Sequence, residues 1–210
     1  MSGELRMRHW WLIRHAPVNT DRIYGQLDIA ADFSDTGRIS ELARQLPTDA
    51  DIYVSDLSRC QETARHLLSG VEKDTPAYEI RRDLREQYFG DWQGKNYREV
   101  EEDDPEGYAA FWRAPATMPP GGGESFADMT TRIGAALADI AGRAKEESVV
   151  IVAHGGPIRA AVGLALGLLP AQMLNIAIHP LSLTRLTSFE GEGEVNWRID
   201  SVNEQGAMLP

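Results

Sequence analysis

Short apolar runs alternate with stretches of helical period along this chain, which is the signature of an α/β fold. His9–Ile13, Asp51–Ser55 and Ser148–Ala153 read as strands, and Ser182–Ser188 and Trp197–Val202 add two late ones. Ser58 and Gln61 have capping-box spacing, so a helix is expected to begin near Arg59, with Cys60, Ala64, Leu67 and Leu68 as its apolar face. Pro157 suits the first turn of a helix running through Ala160 to Leu168. The most regular stripe is Phe126, Met129, Ile133, Leu137 and Ile140, which follows Ser125 and its expected capping partner Asp128. Between Gln87 and Gly123 the pattern loosens while Trp92, Phe111, Trp112, Pro119 and Pro120 accumulate. That stretch reads as an irregular excursion from the sheet, of the kind that shapes a ligand site. Neither an internal repeat nor a linker of domain-separating length interrupts residues 1–210, so a single domain is expected.

Composition narrows the setting. With 210 residues and 42% apolar content, the chain can bury one sizeable core without a metal or disulfide staple. Cys60 is the only cysteine, which excludes an internal disulfide or a cysteine-based zinc cage and fits a reducing cytoplasm. The apolar run Trp10–Ile13 is shorter than the roughly 7–15 residues of a secretory signal. Ala160–Leu169 is likewise shorter than the ~20 residues of a membrane span. A cytoplasmic protein is therefore expected. The net charge of −11 argues against nucleic acid and anionic membranes as partners. An anionic ligand would need a locally positive pocket within that acidic surface.

The strand ends supply one. Arg14 and His15 end the first strand, Arg59 follows the second, and His154 follows the third with Gly155 and Gly156 behind it. Ligands of open α/β sheets gather outside the carboxyl ends of the strands. Helix N-termini near Arg59 and Gly155 add partial positive charge and free N–H groups, and the two glycines allow close backbone approach to an anion. Two guanidiniums, two imidazoles and two helix ends make a phosphate pocket. Singly, each residue has a plainer reading. His154 could be a satisfied histidine at a strand end and Arg59 a surface cation. Arg65-His66 repeats the Arg-His pair mid-helix, on a solvated face, without function. No aspartate-rich metal motif or H-E-x-x-H is present, so no metal or other cofactor is expected.

Five segments, in order, resemble the histidine phosphatase superfamily of phosphoglycerate-mutase-like enzymes. Arg14-His15-Ala16 is similar to its Arg-His-Gly signature, and Ser55 through Arg59 to Thr63-Ala64 resembles its S-x-L-x-R-x-x-x-T-A segment. The others are Leu84-Arg85-Glu86 through Phe89-Gly90, Trp92 and Gly94; Gly122-Gly123-Glu124-Ser125; and Val152 through Gly156. The resemblance implies a three-layer α/β/α domain with a mixed, mostly parallel sheet. It implies that His15 is the phosphorylated nucleophile, that Arg14, Arg59 and His154 bind phosphoryl oxygens, and that Glu86 is the proton donor. Asn19 is similar to a phosphate-contacting asparagine, although its spacing after His15 departs from the family's pattern. The implied reaction is metal-independent hydrolysis of a small phosphomonoester.

Ala16 stands where the family commonly has glycine, and Pro17 follows it; altered loop geometry with retained activity is expected. Tyr24 through Asp28 and Ser34-Asp35-Thr36-Gly37 resemble a shortened first loop, and the Arg-His-Ala-Pro variant resembles the α-ribazole phosphatase branch. Other readings are a broad-specificity sugar or nucleotide phosphatase, a phosphoglycerate mutase, and a noncatalytic phospho-ligand module. His179 reads as structural at the entrance to a late strand, and Trp10 and Trp11 as sheet packing. Trp92 and Trp112 either pack the excursion or line the substrate mouth.

Overall fold

Strands in the middle of a parallel sheet are buried on both faces and so read as continuous apolar runs. Trp10–Ile13 and Val149–Ala153 are such runs, and in the computed structural model, which describes residues 6–69, 78–191 and 195–206, they lie side by side. The strands are β1 (Arg6–Arg14), β2 (Asp51–Ser55), β3 (Glu79–Arg81), β4 (Ser148–Ala153), β5 (Leu183–Glu190) and β6 (Val195–Glu204). Their spatial order is β3-β2-β4-β1-β5-β6. The first four are mutually parallel, and β5 runs antiparallel to both β1 and β6. The sheet is thus mixed and mostly parallel.

Helices cover both faces. On one, Trp10 and Leu12 pack against Phe126, Met129, Ile133 and Ile140 of α5 (Phe126–Arg143) and against α6 (Gly155–Ala165). On the other, Ile13, Val54 and Val152 meet Ile39 and Leu42 of α1 (Thr36–Ala43) and Cys60, Ala64 and Leu67 of α2 (Ser58–Leu68). Each large side chain buried this way contributes roughly 1.5–3 kcal/mol. The α5 stripe and its Ser125–Asp128 capping box form as the spacing predicts. Among the described residues, no helix is long and apolar enough to cross a membrane.

Three expectations need correction, and one strand had not been expected. Strand β3 has no apolar run to announce it, because Ile80 is 52% exposed at the sheet edge. Ser58 does not cap α2; Leu57 occupies the cap position, while the Ser58 amide and hydroxyl both donate to Asp28, at 2.8 and 2.6 Å. Gln61 turns back to the Asp56 carbonyl instead. Nor is the excursion irregular throughout, since it holds α3 (Tyr97–Asp103), with a capping box from Asn96 and Glu99, and α4 (Pro105–Arg113). Ile23, Trp92, Val100 and Phe111 form a small core of their own beneath them. The helix after Pro157 ends at Ala165, short of Leu168, and α7 (Pro170–Met173) follows Gly167.

Candidate active site

Arg14 of β1 lies opposite Ala153 of β4, so the next residue on each strand, His15 and His154, comes out level. The His15 amide still donates to the Ala153 carbonyl at 3.0 Å. Neighbouring strands lie about 4.8 Å apart, and the two imidazole centroids are 5.1 Å apart. Sheet register alone accounts for the pairing of these histidines.

His15 is 1% exposed, and its Nδ1 is 2.7 Å from the Ala16 carbonyl oxygen. A carbonyl only accepts, so Nδ1 carries the proton and Nε2 the lone pair. That Nε2 is buried without a hydrogen-bond partner. Burial above all, then the Arg59 and Arg14 cations, lower its pKa to about 3, against the raising effect of the Ala16 bond. The imidazole is therefore neutral at ordinary pH. Ala16 itself is fully buried, and its amide donates to the Thr63 hydroxyl at 3.0 Å. The tautomer is thus held by the backbone carbonyl of residue 16, which alanine and glycine supply alike.

Two cations flank this nitrogen. Arg14 donates from Nη1 to the Ile178 carbonyl at 2.6 Å, and Arg59 from Nη1 and Nη2 to the Leu27 and Gly25 carbonyls at 2.7 and 2.6 Å. Gly25 has φ +42°, and an added Cβ would stand 2.8 Å from the Gln87 carbonyl oxygen, so this carbonyl can serve Arg59 only from a glycine. The Tyr24 ring lies 5.0 Å from the Arg59 guanidinium carbon, a cation–π contact. In both arginines Nε is buried and unpartnered. Among the described residues five buried side-chain nitrogen or oxygen atoms lack a hydrogen-bond partner, and three of them are here: Arg14 Nε, Arg59 Nε and His15 Nε2.

His154 is fully buried; its Nε2 is 2.8 Å from the Ser55 hydroxyl and 3.4 Å from Cys60 Sγ. Burial first, then His15, Arg59 and Arg14, hold its pKa well below the usual value. Burial pushes the Cys60 thiol up, so it stays a thiol.

Glu86 sits at the start of α6. The Gly156 amide donates to both its oxygens, at 3.1 and 3.2 Å, and the Gln87 amide donates to Oε1 at 3.0 Å. The anion met by the second glycine is a side-chain carboxylate of this chain. The backbone carrying Glu86 is tied down by Arg132 of α5, which donates from Nη1 to the Asp83 and Arg85 carbonyls at 2.7 and 3.0 Å. Glu124 holds that guanidinium in a bidentate pair at 2.9 and 2.7 Å.

A cavity of about 320 Å³ opens in front of these groups, lined by Arg14, Tyr24, Glu86, Gly155 and Gly156 among others. His15, Arg59 and His154 lie behind that wall. Asn19 is not part of it: it is exposed, and its amide donates to Asp32 at 2.9 Å. Trp92 packs the excursion, while Trp112 is 51% exposed and reaches the cavity only through Tyr97, whose ring centroid is 5.8 Å away. His179 Nδ1 accepts from the side-chain amides of Asn203 and Gln205 at 2.7 and 3.0 Å, a tie to the end of β6 in keeping with a structural role. Arg65 and His66 are exposed in the last turn of α2. Two cavity cations, Arg22 and Arg159, have no counterpart among the residues singled out from the sequence. For Arg159, its place four residues after Gly155, one turn along the same helix face, was the available signal.

This fold and this histidine-arginine cluster have known counterparts. The sequence profile of the histidine phosphatase superfamily, branch 1, matches residues 10–204, and the chain belongs to that family. It is 36% identical over 157 residues to phosphoglycerate mutase-like protein 4 of Arabidopsis thaliana, a match covering 70% of this chain and 66% of that protein. So it spans just under two thirds of that relative. With the glucosyl-3-phosphoglycerate phosphatase of Mycobacterium tuberculosis it shares 31% identity over 222 residues, covering 95% of this chain and 96% of the relative. A solved mycobacterial glucosyl-3-phosphoglycerate phosphatase superposes with a TM-score of 0.80 at 29% identity, covering 95% of this chain and all of that one. The adenosylcobalamin/alpha-ribazole phosphatase of Salmonella typhimurium is 28% identical over 175 residues, 80% of this chain and 85% of that protein.

Proposed function

We propose that this protein is a phosphatase that hydrolyses a small phosphomonoester through a phosphohistidine on His15. The observation that carries the reading is the set of three buried, unpartnered atoms: two guanidinium N–H donors and one imidazole lone pair. Buried polar atoms without partners are rare and call for an explanation. A phosphoryl group answers all three, its oxygens accepting from the arginines while its phosphorus meets Nε2.

In the first step Nε2 attacks phosphorus, the bond to the ester oxygen breaks, and Glu86 in its protonated form gives that oxygen its proton. The new imidazolium keeps Nδ1–H on the Ala16 carbonyl, which stabilises its charge. In the second step the Glu86 carboxylate takes a proton from water, the water oxygen attacks phosphorus, and the N–P bond breaks to return neutral His15 and inorganic phosphate. Arg14, Arg59 and the start of α6 offset charge on the phosphoryl oxygens during both transfers.

The cavity volume suits a small molecule. α-Ribazole phosphate and sugar phosphates both fit this class, and the names of the relatives support both. The buried free thiol of Cys60 is in keeping with the cytoplasm. The test is chemical quench during turnover of a ³²P-labelled ester. Acid-labile, base-stable label should lie on the peptide containing His15, and His15→Ala should lose both label and turnover while keeping its fold. Label on a serine or aspartate would overturn the covalent assignment.

A further inference from the structure

Within the cavity, the cations differ in how far they are already committed. Arg22 is bound to the Gly94 carbonyl at 2.6 Å and paired with Glu99 at 3.0 Å. Arg14 and Arg59 face the phosphoryl position, as described above. Arg159 uses only Nε, which donates to the Ile176 carbonyl at 2.8 Å. Among the described residues it has no ion pair, and neither terminal nitrogen has a hydrogen bond.

A half-buried guanidinium without a counter-anion is unfavourable. Burial lowers the pKa of Arg159, the Glu86 carboxylate opposes that, and the nearby Arg14 adds to it. The backbone explains its direction. Gly155, Gly156 and Arg159 all line the cavity from one helix, and Arg159 is a single turn beyond Gly155, about 6 Å along the axis. Its fork is thus anchored at one nitrogen and offers two parallel donors beyond the phosphoryl position, the geometry that matches a carboxylate.

We infer that Arg159 is a second anion-binding group, and that the substrate is a small phosphomonoester carrying a carboxylate a few bonds from its phosphate. This rests on the phosphatase reading above. The lining supports it: Ile23, Phe89, Tyr97 and Phe126 are apolar or aromatic, Asp21 would repel an anion, and Arg22 is already paired with Glu99, so among the described residues Arg159 is the uncommitted cation outside the phosphate position.

The test uses matched esters differing only in the carboxylate: phosphoglycolate against 2-hydroxyethyl phosphate, and 3-phosphoglycerate against glycerol 3-phosphate. The readouts are kcat/KM for each, and calorimetric binding of phosphoglycolate against inorganic phosphate. The wild type should prefer the carboxylate member of each pair. Arg159→Gln should lower that preference ratio by about 10- to 100-fold, the range of a hydrogen bond to a charged group, and Arg159→Lys should restore part of it. A wild type without preference, or an Arg159→Gln variant in which the ratio is unchanged, would overturn the second anion site while leaving the phosphatase reading intact. If no ester turns over but Arg159-dependent binding of phosphoglycolate persists, the anion site stands and the phosphatase reading falls.

Discussion

Replacing Gly156 with alanine should separate the needs of the fold from the needs of the chemistry. A Cβ built there lies 2.1 Å from Glu86 Oε1 and 3.0 and 3.1 Å from Met129 Cε and Sδ. Comfortable heavy-atom contact is about 3.5 Å, so the carboxylate must retreat by more than about 1 Å. The two bonds from the Gly156 amide, now 3.1 and 3.2 Å, then pass beyond hydrogen-bonding range. For the fold this is cheap, because the obstacle is the end of a flexible side chain. Alanine in a helical turn gains about 0.4–1 kcal/mol over glycine, which offsets part of the roughly 1.5–3 kcal/mol that hydrogen bonding to a charged group is worth. For proton donation it is expensive. A misplacement of about 1 Å costs on the order of 10²-fold, near the lower end of what a general acid supplies. Phosphoenzyme formation from an alkyl phosphate should therefore slow by about 10²-fold, or 2.7 kcal/mol of barrier. A nitrophenyl phosphate, whose leaving anion needs no proton, should slow by less than about 10-fold. The assay is a rapid-quench burst of leaving group from each ester, with Glu86→Gln and the double variant measured alongside. If Glu86 is the proton donor and Gly156 acts through it, the double variant loses no more than Glu86→Gln alone. Equal slowing of both esters, or additive losses in the double variant, would refute the reasoning.

Stability should depend on pH through the buried histidines. His15 takes up a proton near pH 6.5 in the unfolded chain but only near 3 in the folded one, so its contribution is complete above about pH 6.5 and is lost as pH falls toward 3. The slope is about 1.4 kcal/mol per pH unit, and His154, lowered by burial and its cationic neighbours, adds in the same direction. Denaturant midpoints between pH 7 and 5 should fall less steeply in His15→Gln than in wild type, and parallel slopes would count against a neutral buried His15. Tyr97→Ala should change the relative kcat/KM of different phosphomonoesters more than it changes inhibition by inorganic phosphate, since Tyr97 lines the outer cavity. Trp112→Ala should act in the same sense but more weakly, through Tyr97; uniform loss on every ester would mean that both support the fold alone.

The elements visible in the sequence were those with a one-sided or two-sided apolar pattern. β2 and β4 have the bounds that their apolar runs suggest, and α5 follows its stripe, because burial leaves a periodic record. β3 left none, being three residues long with only Arg81 buried. The false cap at Ser58 shows the limit of local spacing, because Asp28, 30 residues away, competes for the same groups and wins. The site was legible wherever strand ends determine it, as at Arg14, His15 and His154, since sheet register needs only the strands. Arg159 and Arg132 were hidden because each acts from inside a helix through a contact set by tertiary packing. Asn19 was carried by resemblance alone, and Asp32 holds its side chain elsewhere.

The position of β1 has a consequence for synthesis. β1 is made before either of the strands that pair its two sides, β4 and β5, whose residues begin at 148 and 183. At about 5–20 residues per second, the Trp10–Ile13 segment waits on the order of ten seconds or more for both partners. During that wait an apolar strand with two open edges is a template for pairing with other chains. His15 is equally incomplete in that interval, because the carbonyl its amide bonds and the histidine beside it are encoded almost 140 residues downstream. The proposed acceptor site at His15 therefore cannot assemble until Ala153 and His154 have been made.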